Sequence, residues 1–327
     1  MTFPTHNVII TPQRRSLVSI LVIMKSNSKS RQQLTHIATT LLFLASISLT
    51  ALTYPIAPVK ADTAVGGVIN EDTTWTKVNS PYIVTNNVLV SSGVTLTIDP
   101  GVTVKFNSAK GLQIEGQLIA QGTESEPIVF TSNQPSPAPG DWVNILFTDT
   151  SVDATYDGSG NYINGSIMRY CTMEYGGGSS APMLKILSSS PFIDHCSVTH
   201  SARGGIYADN SSSKISSSTI SNNSACSGGG ISASGTVAIN NCTISNNSAS
   251  CLYAGGGICA FGGTVTINNC TISGNSASGG YGGGIYAGGL TVTINNCTIS
   301  NNSAGRGSGI YTEYSTMIIN SSTISNN

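Results

Sequence analysis

The stretch INNCTISNNSA, residues 239–249, indicates the fold because it occurs three times. It returns as INNCTISGNSA at residues 267–277 and as INNCTISNNSA at residues 294–304. When the second isoleucine of each copy is aligned and the frame is extended in both directions, an apolar residue recurs every 22 to 28 residues. The aligned positions are Met173, Val198, Ile220, Ile244, Ile272, Ile299 and Ile324. A fixed period of this length is typical of repeat proteins.

Each repeat contains three short segments in which apolar and small polar residues alternate, for example 284–287, 291–294 and 297–300. Alternation with a period of two is typical of a β-strand with one buried face. The Ser, Asn, Thr and Gly between the apolar residues are poor helix formers. The sequence therefore predicts an all-β solenoid with three short strands per coil of about 22–28 residues. Each strand would pair with its equivalent in the next coil, about 4.8 Å away.

The same pattern assigns a direction to each side chain of the repeat. In VAINNCTIS, residues 237–245, we expect both isoleucines, the valine and the cysteine to point inward. The two asparagines form the bend, where their side chains bond the neighbouring coils and the backbone is left-handed. We expect the aligned cysteines to act as small buried hydrophobes that stay reduced. These structural cysteines are Cys171, Cys196, Cys242, Cys270 and Cys297, with Ser218 and Ser322 in the vacant places.

The ISNNSA…GGGIYA repeats resemble the right-handed parallel β-helix repeat proteins of the pectate-lyase-like superfamily. They are most similar to the repeats of bacterial surface proteins and polymorphic membrane proteins. Residues 73–106 also resemble the opening coils of exported β-helix proteins. The resemblance covers most of residues 62–327 and implies a right-handed parallel β-helix. Because the superfamily contains polysaccharide lyases and hydrolases, it also implies that an enzyme must be considered.

We expect four regions along the chain. Residues 1–61 are predicted to be a signal peptide, with Met24 as an alternative start and cleavage after residue 61. Residues 62–132 would form an N-terminal cap and the opening coils. Residues 133–166 would be loops with one intervening coil segment, and residues 167–327 the regular repeats. Because the sequence stops within a repeat, we expect a truncated fragment or an end that another chain covers.

Charge and export signals narrow the classes of partner. Only 9% of the residues are charged, and residues 62–327 carry a formal charge of −7 from 15 acidic and 8 basic side chains. An acidic surface disfavours nucleic acid as a partner. The apolar stretch at 37–52 follows basic residues and precedes VKA at 59–61, which is typical of an export signal. We expect a secreted, cell-surface or outer-membrane protein, associated with a membrane only through export or a missing C-terminal anchor.

One coil offers weak candidates for catalysis. It contains Asp194, His195, His200, Arg203 and Asp209. The first two occupy the bend that asparagines fill elsewhere, so a bend-forming role is the alternative. The acidic residues do not recur at one register, as clustered catalytic carboxylates would. The spacing of the histidines and cysteines does not fit a zinc site, so we expect neither a metal nor a cofactor.

Two further sets of residues are singled out. Tyr207, Tyr286 and Tyr311 align in an outward column, where their rings either stack on sugars or serve as ordinary strand-forming surface. Cys226 and Cys251 both follow NSA, one coil apart, and are candidates for a disulfide.

The function hypothesis is an exported, non-enzymatic β-helix scaffold or adhesin of the cell surface. Its expected partner is an extracellular polysaccharide or a host or cell surface. The alternative is a carbohydrate-active enzyme, a polysaccharide lyase or hydrolase of the pectate-lyase-like superfamily. The scarcity of acidic residues in the repeats favours the non-enzymatic hypothesis and leaves the enzyme open.

Overall fold

The computed structural model describes residues 62–289 and 291–327. The predicted signal peptide therefore lies outside the described residues. Within the described ranges the regular structure consists of β-strands and one short 3-10 turn, Lys77–Asn79. No helix in these ranges is long and apolar enough to cross a membrane. The predicted all-β class is confirmed.

Most strands form a parallel β-helix with three faces, each a ladder of strands from successive coils. The first face contains Leu112–Ile114, Ile145–Phe147, Leu184–Leu187, Ile206–Ser211, Ile285–Gly288 and Ile310–Glu313. The second contains Thr73–Trp75, Thr95–Ile98, Gln117–Gln121, Ile167–Arg169, Phe192–Asp194, Lys214–Ser216, Thr291–Asn295 and Thr316–Asn320. The third contains Thr103–Phe106, Ile128–Ser132, Cys171–Glu174, Ser197–Thr199, Thr219–Ser221, Thr243–Ser245, Thr271–Ser273, Thr298–Ser300 and Thr323–Ser325.

Four longer strands pass from one face to another. Ile231–Asn240 and Ile258–Asn268 continue from the first face into the second. Thr63–Ile69 and Tyr82–Val90 continue from the third face into the first. All pairings between coils are parallel, as a solenoid in which each strand pairs with its equivalent requires.

Two smaller β structures are attached to the stack of coils. A fourth ladder of parallel strands contains Ser224–Ala225, Ser248–Ala249, Ser276–Tyr281 and Ser303–Arg306. An antiparallel hairpin, Thr155–Tyr156 with Tyr162–Asn164, is inserted before the regular repeats. Between the predicted loops of residues 133–166, the strand Ile145–Phe147 takes its place in the stack.

The core runs along the axis of the stack, because each coil places its apolar residues above those of the coil before. Ile244, Ile272 and Ile299 are register partners, and all three are fully buried. Burial of such a side chain contributes about 1.5–3 kcal/mol. The earlier coils use larger side chains, and the rings of Phe106 and Trp142 stack with centroids 4.3 Å apart.

Asparagine forms the corners because it accepts a left-handed backbone at low cost. Between the second and third faces, Asn241, Asn269 and Asn296 have φ angles of 55°, 54° and 53°. After the third face, Asn246 has φ 55°, and Gly274 takes the equivalent position with φ 67°. The repeated Asn–Asn pairs are therefore explained by backbone geometry at two corners per coil.

A second set of asparagines, one residue after the left-handed corner that follows the third face, is buried and forms an amide ladder. The Nδ2 group of Asn247 donates to the carbonyl of Ile220 at 2.9 Å and to Oδ1 of Asn275 at 3.0 Å. The same Oδ1 accepts the backbone N–H of Asn247 at 3.0 Å. The members of this ladder are Asn223, Asn247, Asn275, Asn302 and Asn327. The ladder satisfies polar groups that burial would otherwise penalise.

Candidate functional site

The outward tyrosine column of the first face is partly buried. Its register partners are Tyr207, Ser232, Cys259, Tyr286 and Tyr311. Cys259 is 0% exposed and Tyr286 is 3% exposed, whereas Tyr207 and Tyr311 are half-buried. The prediction of an exposed tyrosine row was therefore wrong for Tyr286.

Loops that connect the third face to the first cover the middle of this column. The ring of Tyr253, in one of these loops, lies 6.4 Å from the ring of Tyr286. The hydroxyl of Ser227, in the loop one coil earlier, donates to the carbonyl of Tyr253 at 3.1 Å and lies 3.1 Å from the Cys259 thiol. The loops thus fold over the face instead of projecting away from it.

Aromatic rings gather around Tyr286. Its ring centroid is 5.3 Å from that of Phe261 and 5.8 Å from that of Tyr311. The planes of the Tyr286 and Tyr311 rings are nearly parallel. Tyr281 stacks on Tyr311 at 4.6 Å and meets Tyr253 edge-on at 5.5 Å. We call this set the aromatic cluster. Tyr207 has no ring contact with another described residue, so the cluster excludes one of the three predicted binding tyrosines.

The aromatic cluster forms one side of a cleft of about 470 Å³. We call it the aromatic cleft. Its lining residues are Tyr253, Phe261, Tyr286, Gly288, Gly289, Glu313 and Tyr314. Tyr253 is 51% exposed, Phe261 40% and Tyr314 93%, so three large rings are accessible from solvent.

Glycine at position 288 keeps this part of the surface open. A Cβ atom at Gly288 would lie 3.2 Å from the Tyr286 ring and 3.3 Å from the Phe261 ring. The adjacent Gly289 has φ +67°, a backbone conformation that glycine adopts without strain. A larger side chain at 288 would therefore crowd the two rings.

A carboxylate lies among the rings. The hydroxyl of Tyr286 donates to Oε2 of Glu313 at 3.2 Å, and Glu313 is half-buried. Burial raises the pKa of Tyr286 to about 12, and the hydrogen bond to the negatively charged Glu313 acts in the same direction. The phenol is therefore protonated at neutral pH and holds the carboxylate in place.

Sequence reasoning alone missed most of this site. It singled out Tyr286 and Tyr311 but not Tyr253, Phe261 or Glu313. The available signal was density: six aromatic residues occur between positions 253 and 314, against two between positions 186 and 252. The regular spacing identified only the outward tyrosine column. The aromatic cluster combines Tyr286 and Tyr311 of that column with residues outside the repeat pattern, such as Tyr253.

The disulfide candidates lie beside this site. Cys226 and Cys251 form a disulfide with their Cα atoms 4.9 Å apart. The backbone N–H of Cys251 also donates to the carbonyl of Cys226 at 2.9 Å. Cys251 is two residues before Tyr253, so the bond ties the loop that carries this ring to the preceding coil.

The predicted catalytic coil is only partly brought together. Asp194 accepts a hydrogen bond from Nε of Arg169 at 2.8 Å and lies 2.9 Å from Nδ1 of His195. His195 and His200 both have left-handed backbones, with φ 51° and 56°, and occupy corners that asparagine fills in other coils. Their rings stack on tyrosines of the preceding coil, at 4.6 Å from Tyr170 and 5.4 Å from Tyr175.

The other members of that coil have separate contacts. The side chain of Asp209 accepts a hydrogen bond from the Ser234 hydroxyl at 2.7 Å. The backbone of Arg203 donates to the hydroxyl of Ser201 at 3.4 Å. Among the described residues, no group of three or more His, Cys, Asp or Glu side chains could hold a metal ion.

A second concave surface runs along the corner between the second and third faces. It encloses about 710 Å³ and is lined by amides and hydroxyls. The Nδ2 group of Asn268 donates to Oδ1 of Asn240 at 2.8 Å, and Asn295 donates to Asn268 at the same distance. We call this the asparagine groove. Because these amides bond one another, the groove has fewer polar groups free for a ligand than its composition indicates.

The structural cysteines are buried, and the sulfurs of Cys270 and Cys297 also accept hydrogen bonds. The backbone N–H of Cys242 donates to Sγ of Cys270 at 3.3 Å, and that of Cys270 to Sγ of Cys297 at 3.3 Å. Ser218 takes the same role, because its hydroxyl accepts the N–H of Cys196 at 3.0 Å. The hydrogen bond with Cys242 is the largest cause that raises the pKa of Cys270 to about 12, so this thiol is protonated at neutral pH.

Comparison with known families agrees with this architecture. A family model of the right-handed beta helix region matches residues 142–263 and 183–327, together more than half of the chain. The chain belongs to this family. A second model, the pectate-lyase like beta helix domain, matches residues 67–185. The predicted right-handed β-helix of the pectate-lyase-like type is thereby confirmed.

Individual relatives are distant or cover little of the chain. Protein bark beetle of Drosophila melanogaster is 43% identical over 67 residues, which are 20% of this chain and 2% of that protein. The A-module of a mannuronan C-5 epimerase from Azotobacter vinelandii aligns over 81% of this β-helix chain and 89% of its own. Its TM-score is 0.30 and its identity 9%, values that support no inference about activity.

Proposed function

We propose that this chain is an exported β-helix of the cell surface that binds extracellular polysaccharide through the aromatic cleft without chemical turnover. The observation that carries the proposal is the grouping of exposed rings, Tyr253, Phe261 and Tyr314, around the carboxylate of Glu313. Aromatic faces pack against the apolar faces of sugar rings, and a carboxylate accepts hydrogen bonds from sugar hydroxyls.

The energetics favour an extended ligand. An aromatic contact contributes about 0.5–1.5 kcal/mol beyond the area it buries. Three such rings give weak binding to a single sugar, whereas a polymer that contacts several protein molecules gains by multivalency. Weak binding at each site combined with multivalent binding to a polymer is suited to a scaffold or adhesin that stays on a polymeric surface.

The lack of a second carboxylate in the cleft supports binding without turnover. Glycoside hydrolysis uses a pair of carboxylates, one as acid and one as base or nucleophile. Of the described residues that line the cleft, Glu313 is the one acidic side chain.

Export is part of the proposal and has its own support. Residues 1–61 have the composition of a signal peptide, and disulfides such as Cys226–Cys251 persist in oxidising compartments. Sequencing the mature N-terminus tests this part, with cleavage after Ala61 as the expected result.

An enzyme of the carbohydrate-active class is the second candidate. The match of residues 67–185 to a pectate-lyase like domain favours it, since that fold carries polysaccharide chemistry elsewhere. Asp194, with Arg169 and His195 beside it, is the best-placed acid. Release of reducing sugar or of unsaturated uronate from a panel of polysaccharides would establish turnover.

The test of the binding proposal is retention on insoluble polysaccharide columns. The double variant Tyr253→Ala, Phe261→Ala removes two exposed rings and should lose most retention, with its unfolding midpoint close to that of the parent. Tyr207→Ser is the matched control, because that tyrosine lies outside the aromatic cluster, and it should be retained normally. Equal retention of the parent and the double variant would contradict the proposal.

A further inference from the structure

Glu313 forms no ion pair with another described residue. The ion pairs among the described residues are Lys77–Glu126, Arg169–Asp194 and His195–Asp194, and none involves Glu313. Its hydrogen-bond partner is the neutral phenol of Tyr286. A half-buried carboxylate without a counter-charge interacts strongly with a cation that enters its site, because the surrounding protein screens charge less than water.

The rings beside Glu313 also favour a cation. At the far side of the aromatic cluster, the guanidinium of Arg306 lies 5.5 Å from the ring centroid of Tyr281, and neither residue lines the cleft. Aromatic faces attract ammonium and guanidinium groups through the ring quadrupole, and recognition of ammonium ligands uses several rings at once. Phe261 and Tyr253 present partly exposed rings at the same cleft as the carboxylate.

The charge around the cleft disfavours an anionic ligand. No lining residue of the aromatic cleft in the described ranges is basic, and residues 62–327 carry a formal charge of −7. A uronate polymer would bring further negative charge to Glu313, with no Lys or Arg in the lining to receive it. A neutral sugar would leave Glu313 without a counter-charge.

We propose that the aromatic cleft selects a sugar bearing a free, protonated amine, as in a deacetylated amino-sugar polymer, over its N-acetylated counterpart. This inference rests on the polysaccharide binding proposed above. The ammonium group would lie against the Glu313 carboxylate and the adjacent ring faces. The sugar ring would pack on an exposed aromatic side chain.

The test compares two oligomers of equal length, glucosamine and N-acetylglucosamine, by calorimetric titration at one pH where the free amine is protonated. The glucosamine oligomer should bind about tenfold more tightly, the gain expected for a carboxylate and aromatic faces acting on one cation. Glu313→Gln keeps the shape and an oxygen that accepts from Tyr286, and it should lose this preference while still binding the acetylated oligomer.

Controls distinguish failure of the amine selectivity from failure of polysaccharide binding. Glu71→Gln removes an exposed carboxylate whose side chain lies outside the cleft, and it should retain the preference. Equal affinity of the parent for both oligomers, or an unchanged preference in a folded Glu313→Gln variant, would overturn the amine selectivity alone. If neither oligomer binds and no insoluble polysaccharide retains the protein, the proposed function fails as well.

Discussion

At the scale of single residues, the residue type that recurs at a repeat position is set by hydrogen bonding as well as by volume. The inward position directly before each third-face strand accepts Cys or Ser, because each supplies an acceptor for the N–H of the equivalent residue in the preceding coil. Sequence reasoning predicted burial of these cysteines from alternation, but it treated the thiol as a hydrophobe. The acceptor role was not predictable, because it depends on the distance between coils.

This role leads to a prediction for Cys270. Cys270→Ser should keep an acceptor for the N–H of Cys242, because the hydroxyls of Ser218 and Ser322 accept the equivalent N–H groups in other coils. The free energy of unfolding should therefore change little. Cys270→Val has a similar volume but removes the acceptor, and an unpaired buried N–H costs about 1–3 kcal/mol. Urea denaturation of both variants provides the measurement. A valine variant as stable as the serine variant would show that the bond is dispensable.

At the scale of strands and loops, regular elements were predictable and irregular ones were not. The alternation in TVTIN and TIS gave the buried positions of the second and third faces. The isoleucines at 267, 272, 294 and 299 are fully buried as expected, whereas Ile324 in the last coil is 47% exposed. The burial of Tyr286 was not predictable, because the cover comes from loops. The signal was a longer repeat: 28 residues separate Ile244 from Ile272, and the added length includes Tyr253.

The strand assignment has a matched pair of tests in Thr271–Ser273. Ile272→Asp places an unpaired charge between two coils and should lower the free energy of unfolding by about 3–5 kcal/mol or more. The neighbouring Thr271 is exposed, so Thr271→Ser should change it by less than about 0.5 kcal/mol. Thermal unfolding followed by circular dichroism distinguishes the two. Similar midpoints for both variants would refute the inward direction of Ile272.

At the scale of the whole molecule, a repetitive stack acquires a distinct site where its repetition is broken. Stacking alone produces uniform faces such as the asparagine groove, whose amides largely satisfy one another. The aromatic cleft arises where an extended loop, a disulfide and adjacent glycines interrupt that uniformity. A period read from the sequence therefore predicts the scaffold well, whereas the site depends on departures from the period.

A crystal structure of the protein with a bound amino-sugar oligomer would show where the ligand binds. We predict that the sugar lies in the aromatic cleft, with a ring packed against Phe261 or Tyr253 and its ammonium group beside Glu313. A sugar ordered instead along the asparagine groove, or beside Asp194 and His195, with the aromatic cleft unoccupied, would contradict it.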